Sequence, residues 1–237
     1  MALYYKTEGF VFKQEDRMDA DRLFSVFTKD FGRLEIVGKA IRKIDSKLRA
    51  GIELFSVCNI EFVEGKNRKT LTDAFLQKKF RALATSPEKL ATAHAISETL
   101  DHFIKGQEKD HELFALLNET FEILERQPKH FLCQQYFLWN AFSALGYRPQ
   151  LSLCATCNGM LQEDALYFSH KEGGILCENC YFLKKDGIKV ESGAVKIIRL
   201  ILQKNWDVLQ KLKVTPDLQK SLEGISEYYY QYLKPNT

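Results

Sequence analysis

The sequence lacks long apolar runs and a recognisable secretory signal peptide. No stretch of about 18 consecutive apolar residues occurs, so we expect no membrane-spanning helix. The N-terminal residues lack the basic stretch and apolar core of a secretory signal peptide. We therefore expect a cytoplasmic protein with no membrane partner. In that reducing compartment, paired cysteines are more typical of metal sites than of disulfides.

The sequence also lacks the signatures of common enzyme classes. It contains no phosphate-binding loop, dinucleotide-binding glycine motif, serine-hydrolase elbow or His-Glu-x-x-His motif. The five histidines are scattered and show no ligand-like spacing with carboxylates. The sequence therefore predicts no catalytic residue and favours a binding protein over an enzyme.

Apolar and polar residues alternate in the first 80 residues, as they do in half-buried strands. A short glycine-containing connection at 29–33 is typical of a hairpin. Five strands with no helical repeat predict a small closed sheet of the OB type. The predicted strands are Leu3–Phe12, Leu23–Thr28, Leu34–Ala40, Val57–Val63 and Lys69–Phe80.

Helical periodicity begins near residue 85, where Ser86 is a suitable N-cap and Pro87 suits the first turn. The predicted helices run from Pro87 to about Lys105, from Asp110 to before Pro128, and over 129–145, 192–204 and 216–233. The predicted fold class is α+β. It consists of an OB domain over 1–80 and a helical domain over 81–237, which carries a cysteine module at 150–185.

Four of the six cysteines form two Cys-x-x-Cys pairs, Cys154 with Cys157 and Cys177 with Cys180, separated by 19 residues. Each pair places two sulfurs on one side of a tight turn, and two such turns supply the four thiolates of a tetrahedral zinc site. Four sulfurs complete the coordination of zinc, so we expect a structural ion. Two disulfides or four unlinked thiols are the alternatives.

An enzymatic interpretation of the same segment is weaker. His170 and Glu172 ahead of the second cysteine pair superficially resemble the pattern of zinc nucleobase deaminases. However, Leu176 stands where that pattern has proline, and too few residues separate Glu172 from Cys177. The first cysteine pair would also have no role.

Positive charge is concentrated in the N-terminal part. The net charge is only +3, but residues 1–80 hold 16 basic against 12 acidic residues, whereas the remainder holds 18 against 19. Five cations and one anion lie between Lys39 and Arg49, which we call the basic loop. On an OB barrel such a loop would contact phosphates, and binding would depend on salt. A solvated turn is the plainer interpretation.

The predicted contacts with nucleic acid are all basic side chains. They are Lys39, Arg42, Lys43, Lys47 and Arg49 in the basic loop, with Arg22 and Arg33 as further cations. Phe24 and Phe31 could add base stacking, although aromatic residues at strand positions are more typical of a core.

Several stretches resemble the RecO family of bacterial recombination mediators, in particular its zinc-bearing members. The resemblance extends from about residue 5 to 185. The matching residues are Gly9 to Phe12, Asp19 to Thr28, Gly32, Gly38 to Leu48, Gly146-Tyr147, Pro149, Leu151 and the two cysteine pairs. The sequence departs from the family at Ala40, where glycine is usual.

The resemblance implies DNA repair and homologous recombination after DNA damage. It implies binding of single- and double-stranded DNA, and annealing of strands coated by single-strand-binding protein, whose C-terminal tail would dock on the helical domain. It further implies work with RecR to load RecA, association with the nucleoid, and no catalytic residue. Lys39, Arg42, Lys43 and Lys47 match the basic stretch of the family.

Other classes of function remain open from the residues alone. An OB domain with a zinc ribbon could bind RNA or act in transcription, because stacking and phosphate contacts serve both nucleic acids. A metalloenzyme would need an open metal position, and a pure scaffold would show no salt-dependent binding.

Overall fold

The computed structural model describes residues 3–235, which divide into two compact units. The first unit extends to His130 and the second begins at Phe131. The boundary predicted at residue 80 separates the strands from the first helices and lies inside the first unit. The domain boundary at residue 80 therefore stays a prediction, because the division into compact units does not test where a domain ends.

Five strands of the first unit form a closed barrel in the order β1-β2-β3-β5-β4. Neighbouring strands are antiparallel except β3 and β5, which are parallel and pair Ile36 with Lys69 and Val37 with Thr70. This five-stranded architecture confirms the predicted OB-type barrel. The strands are β1 (Leu3–Arg17), β2 (Asp21–Thr28), β3 (Gly32–Gly38), β4 (Ser56–Glu64) and β5 (Lys69–Lys79).

The barrel interior is filled by the inward-facing residues of these strands. Phe24 pairs with Ile36 and Val26 with Leu34, and all four side chains are buried in one apolar cluster. Burial of this apolar surface is the main stabilising contribution to such a domain. Phe24 is therefore a core residue, as its position on a strand indicated.

Strand β1 is longer than predicted. Beyond Phe12 it continues to Arg17 through polar residues that pair with β2, ending with Arg17 opposite Asp21. A register shift between Val11 and Lys13 marks a bulge or irregularity in the strand. Sequence alternation cannot reveal this extension because it has no buried apolar face.

Two helices pack on the barrel within the first unit, α1 (Pro87–Phe103) and α2 (His111–Arg126). Their starts agree with prediction, since the side chains of Ser86 and Asp110 accept hydrogen bonds from the backbone as N-caps. The Phe121 ring on α2 lies 4.5 Å from that of Phe10 on β1. These contacts attach the helices to the outside of the barrel.

The second unit contains the other helices and the cysteine module. The Trp139 indole is fully buried, donates to Ser226 Oγ at 3.0 Å and stacks on Tyr229. The module follows the helix that ends at Ala144 and precedes the one that begins at Ser192, where the sequence predicted its third and fourth helices; the short helix inside the module was not predicted. The elements are α3 (His130–Ala144), β6 (Tyr167–Ser169), β7 (Gly174–Leu176), α4 (Glu178–Lys184), β8 (Ile188–Lys189), α5 (Ser192–Ile201), α6 (Trp206–Leu209) and α7 (Pro216–Leu233).

Across residues 3–235, no helix is both long enough and apolar enough to cross a membrane.

Candidate metal centre and nucleic-acid interface

The four predicted cysteine ligands converge in the second unit. The sulfurs of Cys154, Cys157, Cys177 and Cys180 all lie within 4.8 Å of one another. The Cys157 and Cys177 sulfurs are 3.9 Å apart. Tetrahedral coordination with metal–sulfur bonds near 2.3 Å separates the sulfurs by about 3.8 Å. The arrangement therefore fits one metal ion held by four thiolates.

The first cysteine pair is held by a tight turn. The Cys154 amide donates to the Gly159 carbonyl at 2.9 Å, and the Asn158 amide donates to the Cys154 carbonyl at 2.9 Å. Asn158 has a left-handed backbone with φ 58°, which asparagine tolerates better than most residues. A Cβ atom at Gly159 would lie only 3.2 Å from the Cys157 sulfur. Glycine therefore leaves room beside that sulfur.

The second pair sits at the start of helix α4. Cys177 is its N-terminal flanking residue, and its amide points to the Cys154 sulfur at 3.4 Å. Strand β7 joins the two pairs, because its Ile175 carbonyl accepts from the Ala155 amide at 2.8 Å. Backbone amides directed at sulfur favour the thiolate form.

The pKa values of the Cys154 and Cys180 thiols are shifted in opposite directions. Burial acts to raise the pKa of Cys154, but backbone amides of Cys157, Cys177 and Thr156 outweigh it and lower that pKa to about 6. Burial, together with the neighbouring sulfurs, raises the pKa of Cys180 to about 12. The Cys154 thiolate therefore forms readily, whereas ionisation of Cys180 is opposed, and a bound cation would offset the negative charge that opposes it.

Two of the alternatives for this cluster, disulfides and a deaminase-type site, lose support. No disulfide joins the six cysteines, all of which lie within residues 3–235. A disulfide bond would be about 2.05 Å long, far shorter than the 3.9 Å between Cys157 and Cys177. In the deaminase interpretation His170 would bind metal, but it contacts the Tyr228 hydroxyl instead. Glu172 is paired with Lys184.

The basic loop is anchored in the barrel. Ile41, within the loop, and Ile52, shortly after it, belong to the buried cluster of the barrel. The Ala40 amide donates to the Asp21 carboxylate at 2.7 Å, and the Arg42 amide donates to the Ala20 carbonyl at 3.0 Å. The loop is therefore held against the turn between β1 and β2.

Ala40 has the left-handed backbone that glycine adopts without strain. Its φ is 51°, which is uncommon for alanine. This is the position at which the RecO pattern has glycine. Alanine at position 40 therefore adopts a backbone conformation that glycine would adopt with less strain.

The predicted contact residues of the basic loop are exposed. All five cations, Lys39, Arg42, Lys43, Lys47 and Arg49, are accessible to solvent. Among residues 3–235, four of them form no ion pair, and Arg42 shares Asp16 with Arg22. The hydrogen bond from Arg22, with the field of Arg42, lowers the pKa of Asp16.

Two of these cations, Arg42 and Arg49, line a small depression. Its volume is about 160 Å³, and its lining consists of three apolar side chains and three arginines. Three arginines that line one depression are suited to a phosphate or another compact anion. The lining residues are Arg22, Phe24, Ile41, Arg42, Arg49 and Ile52.

Arg33 has a different environment from the other predicted contacts. Its side chain is only 14% exposed and binds the Asp101 carboxylate at 2.6 Å. It also donates to the Ile104 carbonyl at 2.9 Å, contacts Glu35 and lies over the Phe12 ring. Arg33 therefore joins β3 to the end of α1. This geometry does not support Arg33 as a DNA contact, and that role stays a prediction.

Sequence reasoning overlooked a second group of cations. Lys66 and Arg68, in the turn between β4 and β5, line a depression of about 340 Å³ together with Lys69 and Lys105. Lys69 is paired with Glu64. Three cations within residues 66–69 were a visible signal in the sequence, but Lys105 joins them only in the folded unit.

Comparisons with known proteins agree with this arrangement. The family model described as "Recombination protein O N terminal" matches residues 1–80, and "Recombination protein O C terminal" matches residues 84–234. The chain belongs to the RecO family.

Similar relatives support the assignment over nearly the whole chain. A DNA repair protein RecO of Dehalococcoides mccartyi is 30% identical over 219 residues, covering 92% of this chain and 86% of the relative. Proteins of the same name from Roseiflexus and Alkaliphilus metalliredigens are 27% and 28% identical, covering 97% and 94% of this chain and 81% and 91% of their own.

Replacing Arg33 tests its structural role in this RecO-family chain. We expect Arg33→Met to lower the free energy of unfolding by about 2 kcal/mol, because it leaves the Asp101 carboxylate without its closest partner. Denaturant unfolding of the two proteins side by side measures the difference. Arg49→Met, at an exposed cation with no ion pair in residues 3–235, is the control and should change stability little.

The effect of Arg33→Met should depend on pH. Burial acts to raise the pKa of Asp101, but hydrogen bonds from Lys13 and Arg33 outweigh it and lower that pKa below 3.8. The stability contributed by the ionised carboxylate is therefore present above about pH 4 and fades as the pH falls through the lowered pKa. Equal destabilisation of the Arg33 and Arg49 variants would contradict the structural role.

Proposed function

We propose that this RecO-family chain binds single- and double-stranded DNA through its basic loop and acts in DNA repair and homologous recombination. The observation that carries the proposal is the exposed set of loop cations, anchored on an OB-type barrel. Cations that are not neutralised by protein carboxylates can replace the counterions of a phosphate backbone. Lys39, Lys43, Lys47 and Arg49 meet that condition within residues 3–235.

The proposed activity is the annealing of complementary strands that are coated by single-strand-binding protein. Neutralising phosphates on two strands reduces their mutual repulsion, and this step requires positioned cations but no bond cleavage. We therefore propose a non-enzymatic mediator. Support comes from the family assignment and from the relatives, which are named DNA repair proteins.

The partners follow from the family resemblance. We propose that the chain works with RecR to load RecA, and that the C-terminal tail of single-strand-binding protein docks on its helical part. The proposed location is the cytoplasm, in association with the nucleoid. The basic loop lies in the first unit. Binding of RecR and of the single-strand-binding protein tail away from this loop would leave the loop available for DNA.

We further propose that the metal of the four-cysteine cluster is zinc and that its role is structural. Four thiolates fill a tetrahedral coordination sphere and leave no position for a water molecule or substrate. Cys154, Cys157, Cys177 and Cys180 would hold the ion, which would join the turn at 154–159 to the start of α4. The short strands of this module bury little apolar surface, so they would hold these two segments together only weakly without the ion.

Strand annealing tests the proposed function. Two complementary strands, each coated with the single-strand-binding protein of the host, should form duplex faster when this protein is added without ATP. The triple variant Arg42→Ala, Lys43→Ala, Lys47→Ala should abolish most of the acceleration, because phosphate contacts are removed. Duplex formation is followed by fluorescence energy transfer.

A matched triple variant controls for net charge. Lys211→Ala, Lys213→Ala and Lys220→Ala remove the same charge from the second unit and should leave annealing nearly unchanged. An equal reduction in both triple variants, or no acceleration by the folded protein, would argue against DNA handling by the basic loop. Acceleration only with RNA strands would favour an RNA-binding role.

Metal analysis tests the zinc assignment. We expect one zinc ion per chain, released as the pH is lowered because protons displace the metal from the thiolates. Cys157→Ser should abolish stoichiometric binding, since its exposed sulfur is one of four ligands, whereas Cys58→Ala should retain it because the buried Cys58 lies outside the cluster. Iron instead of zinc, or zinc retained by Cys157→Ser, would overturn the assignment.

A further inference from the structure

Two of the most exposed large apolar side chains in residues 3–235 belong to neighbouring turns of the barrel. Ile44 in the basic loop is 96% exposed, and Met18 in the turn between β1 and β2 is 88% exposed. A single exposed apolar side chain is ordinary on a protein surface. Two of them on adjoining turns, each beside cations, are less ordinary.

Hydrogen bonds hold the two turns together. The Arg42 amide donates to the Ala20 carbonyl at 3.0 Å, and Asp21 accepts from the Ala40 amide at 2.7 Å. The two guanidinium groups of Arg22 and Arg42 share the Asp16 carboxylate between these turns. The apolar tips and the cations therefore belong to one connected surface.

The position of Ile44 is fixed by the backbone. The Lys43 amide donates to the Ala40 carbonyl at 3.1 Å, and the Ser46 amide donates to the Lys43 carbonyl at 3.2 Å. The second bond closes a four-residue turn with Ile44 in its middle. The buried side chain of Ile41 anchors the start of this segment. Because the backbone around Ile44 is already ordered, less conformational entropy is lost when its side chain contacts a ligand.

The chemistry of a single strand matches this surface. Its phosphates carry charge along one side, and its unpaired bases present flat apolar faces that are poorly satisfied by water. Cations such as Lys43, Lys47 and Arg49 suit the phosphates, whereas aliphatic and thioether side chains suit the bases. Apolar side chains on other DNA-binding proteins contact or separate bases in this way.

We propose that Met18 and Ile44 form a base-contacting pair that packs against unpaired nucleobases of a strand whose phosphates lie on the basic loop. The inference rests on the proposed function, since it needs DNA on that loop. The pair contributes a non-electrostatic part of the binding free energy and favours unpaired bases over stacked ones. Unpaired bases thereby give the exposed apolar side chains a ligand of defined chemistry.

Binding to single-stranded oligonucleotides at several salt concentrations tests the pair. The double variant Met18→Ser, Ile44→Ser should bind about fivefold more weakly at every salt concentration, with the same slope of log affinity against log salt. Lys43→Ala with Lys47→Ala should instead make that slope shallower, because a protein that neutralises fewer phosphates releases fewer counterions on binding. Fluorescence anisotropy measures both.

An oligonucleotide of abasic sites isolates the base contacts, because it keeps the phosphates and lacks the bases. The unmodified protein should bind this strand more weakly, and the affinity of the Met18/Ile44 double variant should fall much less. The control Met160→Ser, Leu183→Ser removes side chains that are 88% and 83% exposed in the second unit and should behave as the unmodified protein. Unchanged thermal unfolding confirms that each variant is folded.

The outcomes separate the two proposals. If the double variant binds as tightly as the unmodified protein and discriminates equally against abasic strands, the base-contacting pair is wrong even where the lysine variants weaken binding. If the lysine variants also bind normally, the basic loop is not the DNA surface and the proposed function fails in its location. If the affinity of the Met160/Leu183 control variant for the strand falls by the same factor, the effect comes from general surface hydrophobicity and the proposed base-contacting pair is wrong.

Discussion

The parallel contact between β3 and β5 is the constraint on which the barrel surface depends. Because β5 lies between β3 and β4, the chain that leaves Gly38 cannot form a hairpin and must cross to the start of β4 at Ser56. Residues 39–55 make that crossing and include the basic loop. Ile41 and Ile52 anchor the crossing in the core, so its charged residues remain outside. Topology therefore converts a long connection into an ordered cationic surface.

The cysteine module depends on a different constraint, which is local. Two tight turns and one strand bring four sulfurs within 4.8 Å, and amide donors favour ionisation of Cys154. A metal ion bound by these four thiolates would couple its binding to the folding of this segment. The chain thus brings sulfur ligands together in one unit and exposes a group of cations on the other.

The sequence predicted the elements whose signals are short-range. The alternation of apolar and polar residues located the strands, Ser86 and Asp110 located helix starts, and the cysteine spacing predicted the cluster of four sulfurs. It did not predict the polar end of β1, which is held by pairing with β2 alone. Nor did it predict the environment of Arg33, because the partner carboxylate of Asp101 is 68 positions away and only the fold brings them together. Contacts at such separations leave no trace in a local pattern.

The most direct test of a DNA surface on the crossing segment is photochemical cross-linking of the whole protein to a single strand, with the attachment sites mapped by mass spectrometry. We expect attachments concentrated in peptides that contain residues 18–22 and 39–49, and their disappearance at high salt. Attachments confined to residues 131–235, with none in the basic loop, would contradict a DNA surface on the barrel.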